Sequence, residues 1–315
     1  MAFGSVVSGL VLQTLGFIGY CKGFGGKSVT VDDFNWSYVE REGKEGDNTD
    51  AIVFLHGFSS MKESWVRVAS GVDRRFKIII PDLPGQGRTT PADALFNYTV
   101  DDQATRLHQF LNTAVSPDKK IHLVGCSMGG MIAGVYAAKY PERVRSLTMV
   151  CPAGISMKNK SDALKALETS GENLLLAHTA EDINKMNKLI SHKAREIPHF
   201  FASAVAKERA KQLPVLQKIV NDCLTQPTIL EEYLPNIRAK TLVLWGKQDR
   251  ILDVSCVEML DKKLTPDKKH VLLFDDCGHI LQHEKYEELT NALNQFLADK
   301  VPTLLAVESR KSMFW

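Results

Sequence analysis

The sequence predicts an α/β architecture: a mostly parallel central sheet with helices on both faces and a helical cap inserted late in the chain. Three observations carry this. Six short segments rich in apolar residues, at 51–55 (apolar throughout), 76–80, 121–124, 144–150, 241–245 and 270–274, have the length and composition of strands in a covered sheet. Helical patterns separate them, most clearly over 100–113, where Ala104, Leu107, Phe110 and Leu111 share one side. From 152 to 238 the strand runs stop and helical segments dominate, with apolar clusters at 164–167, 174–176, 200–201 and 215–220.

Taken in order, residues 1–21 carry no charge and just reach the roughly 20 residues needed to span hydrocarbon. No positive charge precedes this run, so it lacks the form of a cleaved secretory signal. Lys22 and Lys27 follow it, which places the remainder on the cytoplasmic side. The expectation is a membrane anchor, with Cys21 at its end open to acylation; a helix buried against the protein is the alternative. Residues 28–42 alternate apolar and polar (Val29, Val31, Phe34, Trp36, Tyr38), as an edge hairpin with one buried face would. The run 51–55 ends in His56-Gly57-Phe58, and a helical stretch follows around Trp65. The run 76–80 ends in the loop from Pro81 to Gly87, and a last helix is expected over 283–298. The organisation is thus an anchor (1–21), a first part of the core (28–151), the cap (152–238), a second part of the core (239–300) and a C-terminal extension (301–315) with no assigned role.

Bulk properties narrow the function. The chain has 315 residues, 44% hydrophobic and 24% charged, as in an ordinary globular protein. A net charge of +2 with no basic face interleaved with aromatics argues against a nucleic-acid partner. The six cysteines show neither C-x-x-C pairs nor metal-ligand spacing, so free thiols in a reducing compartment, and no metal or cofactor, are expected. The glycosylation triplets at Asn35, Asn97 and Asn159 would go unused on a cytoplasmic domain.

The chemistry concentrates where the strand 121–124 runs through Gly125-Cys126-Ser127-Met128-Gly129 into a helix of small residues. Strand, G-x-S-x-G and helix form the context of a nucleophile elbow, in which Ser127 stands on a strained turn. A serine hydroxyl needs a base, and the base needs an orienting acid. In this arrangement they follow in the order serine, acid, histidine on loops after strands. His279, after the last buried run, is the candidate base. Asp249 is the candidate acid, with Asp253 as a rival better suited to a helix start near Ser255. Asp275 and Asp276 lie too close to His279 in sequence, and the loop after Val150 contains no acid. The backbone N–H groups of Met128 and Phe58 are the candidate oxyanion donors. His56 reads as a brace for its loop, and Cys126 and Cys277 as packing residues.

With these residues in place, the chain resembles the α/β-hydrolase superfamily from about Trp36 to Leu297. More narrowly it is similar to the membrane-anchored monoacylglycerol lipases of the α/β-hydrolase-domain group. The likeness rests on His56-Gly57-Phe58-Ser59, Gly125-Cys126-Ser127-Met128-Gly129-Gly130, Trp245-Gly246-Lys247-Gln248-Asp249 and Cys277-Gly278-His279. It implies an α/β-hydrolase fold, a triad of Ser127, Asp249 and His279, oxyanion donors at Phe58 and Met128, an N-terminal anchor and a cytosol-facing catalytic domain. It departs at Cys126 and in the tail after Lys300. The implied activity is cleavage of monoacylglycerols, with lysophospholipids as related substrates and an acyl tunnel drawn from Leu174, Leu175, Leu176, Ile197, Phe200 and Phe201. Ser127 excludes epoxide hydrolases and dehalogenases, which carry aspartate at the elbow. Two alternatives stay open: a carbon–carbon bond hydrolase using the same three residues on a diketone, and a catalytically silent receptor or scaffold, which would not react with a fluorophosphonate.

Overall fold

The computed structural model describes residues 22–44, 50–265 and 269–304. Its hairpin, β1 (Gly25–Val31) and β2 (Phe34–Arg41), pairs antiparallel and joins β4 (Ile78–Pro81) antiparallel. Beyond β4 every neighbour is parallel: β3 (Ala51–Leu55), β5 (Ile121–Cys126), β6 (Val144–Val150), β7 (Lys240–Gly246) and β8 (Lys269–Phe274). The order across the sheet is β1-β2-β4-β3-β5-β6-β7-β8. All residues of β3, β4 and β5 are buried, which is why β3 and β4 read as apolar runs and β5 keeps a single polar side chain, His122. After β3 the chain steps outward to β4 and then back across to β5. The loops leaving β3 and β5 therefore meet at the point of reversal, where open parallel sheets form their binding crevice.

Helices cover the sheet: α1 (Val66–Ser70), α2 (Val100–Ala114), α3 (Met128–Lys139), and, after β7, α8 (Cys256–Lys263), α9 (Leu281–Glu284) and α10 (Tyr286–Leu297). Thr99 starts α2, its hydroxyl accepting the Asp102 N–H, and Asp101 and Asp102 face the positive end of the helix. The expected single helix over 283–298 is two. Lys285 breaks the ladder with φ −132° and ψ 40°, and the break lets the Glu284 carboxylate turn to accept the Gly278 and His192 N–H groups.

Between β6 and β7 lie α4 (Asp162–Ser170), a 3₁₀ turn (Leu174–Leu176), α5 (Ala180–Ile190), α6 (His199–Leu224) and α7 (Ile229–Tyr233). This layer has its own small core, in which Ala202 and Ala206, one turn apart on α6, receive Ile183 of α5. The anchor expected over 1–21, Cys21 and the tail from 305 lie outside the described residues. Among the described residues no helix is long and apolar enough to cross a membrane.

One core histidine sets a pH limit. His122 on β5 is buried, hydrogen-bonded to Ser146 Oγ at 2.7 Å and packed edge-on against Phe76. Burial depresses its pKa from 6.5 to about 4. Below pH 6.5 the unfolded chain takes up a proton that the folded chain refuses, so stability is full above that pH and falls as pH drops toward 4. The loss from this one group should approach about 2 kcal/mol by pH 5. Urea unfolding at pH 7.5 and pH 5 checks it, and His122→Asn should flatten the difference.

Candidate active site

Ser127 occupies the N-cap of α3, a position where a serine hydroxyl ordinarily accepts a helix N–H. Here φ 54° and ψ −120° turn the side chain away and it makes no capping bond, so the hydroxyl stays free. Tertiary contacts hold this unfavourable backbone: the Ser127 N–H donates to Val150 O, and its carbonyl accepts the Met131 and Ala153 N–H groups. The turn leaves no room for a side chain at Gly125, where a Cβ would lie 2.2 Å from Gly129 O. The N–H of Met128 belongs to the first turn of α3, whose four leading donors have no acceptor within the helix, and the helix dipole points the same way.

Across the crevice, the loop after β3 brings Gly57 so near that a Cβ there would sit 3.3 Å from Ser127 Cβ. The residues Gly57 to Ser60 form a turn closed by the Ser60 N–H to Gly57 O, with Ser59 at φ 53°. His56 braces its base as expected. Its Nε2 accepts the Leu83 N–H at 3.0 Å, which fixes the proton on Nδ1, and that proton is donated to Gly57 O at 2.8 Å. Full burial pulls its pKa down, so the ring stays neutral.

Asp249 and His279 come together from the loops after β7 and β8. His279 Nδ1 lies 2.7 Å from Asp249 Oδ2, and the carboxylate is wholly buried. Asp249 Oδ1 accepts the N–H groups of Ile251 and Leu252 at 2.8 and 3.0 Å, so both oxygens are engaged. The loop carrying His279 is fastened at each step: Cys277 N–H to Gln248 Oε1, Gly278 N–H to Glu284 Oε1, and His279 N–H to Ile190 O in the cap. The rival acids stand elsewhere. Asp253 Oδ1 accepts the Ser255 N–H ahead of α8, while Asp275 pairs with Lys247 and Asp276 with Lys193 at the surface.

Ser127, His279, Phe58 and Met128 line one cavity of about 590 Å³ beneath the cap. Its walls are mainly apolar, including Leu164, Leu175, Met186, Ile190 and Val220. This corrects the expected tunnel. Leu175 lines the cavity, but Phe200 and Phe201 are 48% and 45% exposed and meet edge to face outside it. At the start of α6 the inward positions go to small Ala202 and Ala206, which leaves the bulky neighbours facing out.

Cys126 is buried with its Sγ 3.7 Å from Gln282 Oε1, and burial pushes its thiol up to about 12; burial also raises Cys277. Both thiols stay protonated. Cys151, at the end of β6 with φ 41°, gave no signal in the sequence. Its Sγ lies within 4.8 Å of ligand atoms of Asp249 and His279, a trio that on spacing alone could hold a metal ion. The donors are already committed: Asp249 accepts three N–H groups and burial keeps the thiol protonated. Two further residues had no signal. Gln86 accepts the Ser59 N–H at 2.5 Å, and Arg209 of α6 reaches into the cavity wall.

An elbow serine, a buried Asp–His pair and a helical cap on a parallel sheet define the α/β-hydrolase class, and the sequence matches that fold family over residues 50–286. The chain belongs to the α/β-hydrolase family. Among its relatives is the monoacylglycerol lipase abhd6-B of Xenopus laevis, 33% identical over 280 residues covering 86% of this chain and 82% of that protein. Lipase 3 of Moraxella sp. (strain TA144) is 33% identical over 260 residues, covering 80% of this chain and 79% of that protein. A crystal structure of a membrane phospholipase A, described as a bacterial virulence factor, superposes with TM-score 0.81 at 30% identity over 94% of this chain and 95% of that one.

Proposed function

We propose that this protein is a serine hydrolase that cleaves the ester bond of monoacylglycerols, releasing fatty acid and glycerol, with lysophospholipids as further substrates. The observation that carries this is a buried Asp249–His279 pair and a free elbow hydroxyl on the wall of one large apolar cavity. The names of the relatives, monoacylglycerol lipase and lipase, support the lipid ester as substrate.

In this reading Ser127 Oγ attacks the ester carbonyl as His279 Nε2 takes its proton. Asp249, accepting the Nδ1–H, keeps the imidazole in the tautomer that leaves Nε2 free to act. The Phe58 and Met128 N–H groups receive the developing oxyanion, and each such donor is worth about 3 kcal/mol. His279 then gives the proton to the departing glycerol oxygen, and water repeats the sequence on the acyl-serine. The apolar wall, with Leu164, Leu175 and Ile190, takes the acyl chain. The segment 1–21 anchors the catalytic domain to a membrane on its cytoplasmic face, next to its substrate.

The test is turnover by the purified protein of a medium-chain and a long-chain monoacylglycerol, a lysophospholipid and p-nitrophenyl butyrate. A fluorophosphonate is the inhibitor, and mass spectrometry locates its adduct. Hydrolysis of the glycerides, blocked as the adduct forms on Ser127, is the expected result. Turnover of the small ester alone would remove the lipid part of the proposal, and no adduct would remove the enzyme.

A further inference from the structure

Arg209 stands on the cap helix α6, yet its guanidinium reaches the core. Nε donates to Ala177 O and Nη2 to Leu175 O, each at 2.6 Å, and both acceptors belong to the cap. Nη1 donates to Ser59 Oγ, also at 2.6 Å, across the crevice. Burial lowers the pKa of the group, and among the described residues no carboxylate is paired with it. Removing a guanidinium from water against neutral acceptors alone is costly.

What the third bond touches gives it a role. Ser59 follows Phe58 in the turn Gly57 to Ser60, and sits at φ 53°, a conformation that needs outside support in a residue with a Cβ. From the core side its N–H is held by Gln86 Oε1 at 2.5 Å, and from the cap side its hydroxyl is held by Arg209. Among the described hydrogen bonds, the Arg209 bond is the one that ties the cap to this turn. The guanidinium is a rigid fork, so two fixed carbonyls set the direction of the remaining N–H.

We infer that Arg209 is a positioning residue: it holds the turn that aims the Phe58 N–H, and so makes transition-state stabilisation depend on the cap being seated. This rests on Phe58 N–H being an oxyanion donor, as proposed above. When the cap moves off the core, Ser59 loses one of the two side-chain bonds that hold it, and the turn keeps only its contacts with the core. The catalytic arrangement is then complete only over an enclosed substrate.

Kinetics on p-nitrophenyl butyrate, whose chain is too short to report on the far end of the cavity, test this in a double-mutant cycle of Arg209→Met and Ser59→Ala. Outright loss of an oxyanion donor costs about 10²–10³ in kcat. A loosened one should cost less, about 10- to 100-fold for Arg209→Met, with KM within about two-fold. Arg209→Lys should recover part of this, since an ammonium cannot serve all three acceptors in one geometry. In the Ser59→Ala background, Arg209→Met should cost little more. An equal loss in both backgrounds would put the effect on Leu175 and Ala177 and overturn the inference, as would an effect confined to KM. If Arg209→Met fails to fold, Ser59→Ala alone decides: about a 10-fold lower kcat supports the inference and an unchanged kcat overturns it. Wild-type turnover and fluorophosphonate labelling separate this from the parent reading. If they are absent, the hydrolase reading fails; if present with Ser59→Ala and Arg209→Met silent, only the role of Arg209 does.

Discussion

Replacing Ser127 by Ala should lower kcat by about 10⁶-fold and abolish fluorophosphonate labelling, with the melting temperature nearly unchanged. The stability half of this expectation follows from the geometry. The Ser127 hydroxyl caps no helix N–H, and the bonds that hold the turn come from its backbone, which alanine keeps. Asp249→Asn provides the graded companion. Its Nδ2 would face His279 Nδ1 and reverse the imidazole tautomer, so that Nε2 carries the proton and cannot act as base. A loss of about 10⁴-fold in kcat is expected. Steady-state kinetics on p-nitrophenyl butyrate with circular dichroism melts checks both. A Ser127→Ala protein that still turned over the ester at more than a trace would place the nucleophile elsewhere.

Gly125→Ala should destabilise the fold rather than the chemistry. The added Cβ would meet Gly129 O at 2.2 Å, Gly129 C at 2.5 Å and Gly130 N at 2.8 Å. All three are backbone atoms at the start of a buried helix, so no side chain can swing aside, and α3 must be pushed off β5. A cost of about 3 kcal/mol is expected, at the upper end for overpacking. In a chain of this size that is about 5 °C in melting temperature. Gly26→Ala is the control: Gly26 lies on the edge strand β1, where an added Cβ would meet nothing within 4 Å, and the variant should melt like the parent. Equal melting temperatures for the two variants would show that the elbow is looser than its contacts require.

Much of this molecule was legible before folding was considered, for a physical reason. A strand buried on both faces must be apolar at nearly every position, with a rare polar exception such as His122 given a partner, and a tight strand-to-helix turn must be glycine on each side of its serine. Both demands leave local marks, at 51–55 and 121–129, that any window of the sequence exposes. The proposed acid and base, Asp249 and His279, stood out because each sits directly after such a strand, and the fold brings the two side chains together. The side chains of helices that face one another leave weaker marks. Phe200 and Phe201 form a conspicuous apolar pair, and nothing local says that Ala202 and Ala206 take the inward face of α6. The final helix is broken by a demand made from elsewhere, since Glu284 is recruited by the backbone of residues 192 and 278.

The sequence by itself determined the architecture, the family and the three residues proposed to act on an ester, because these follow from short-range patterns of hydrophobicity, glycine and strand-end position. The tertiary structure alone decided what encloses them. Which cap residues line the cavity, where Cys151 lies against the Asp–His pair, and that Arg209 crosses 150 positions of chain to grip Ser59 are contacts between segments far apart in sequence. Such contacts depend on how α6 is rotated and seated over the sheet, and that is fixed by packing across the whole cap rather than by any run of residues.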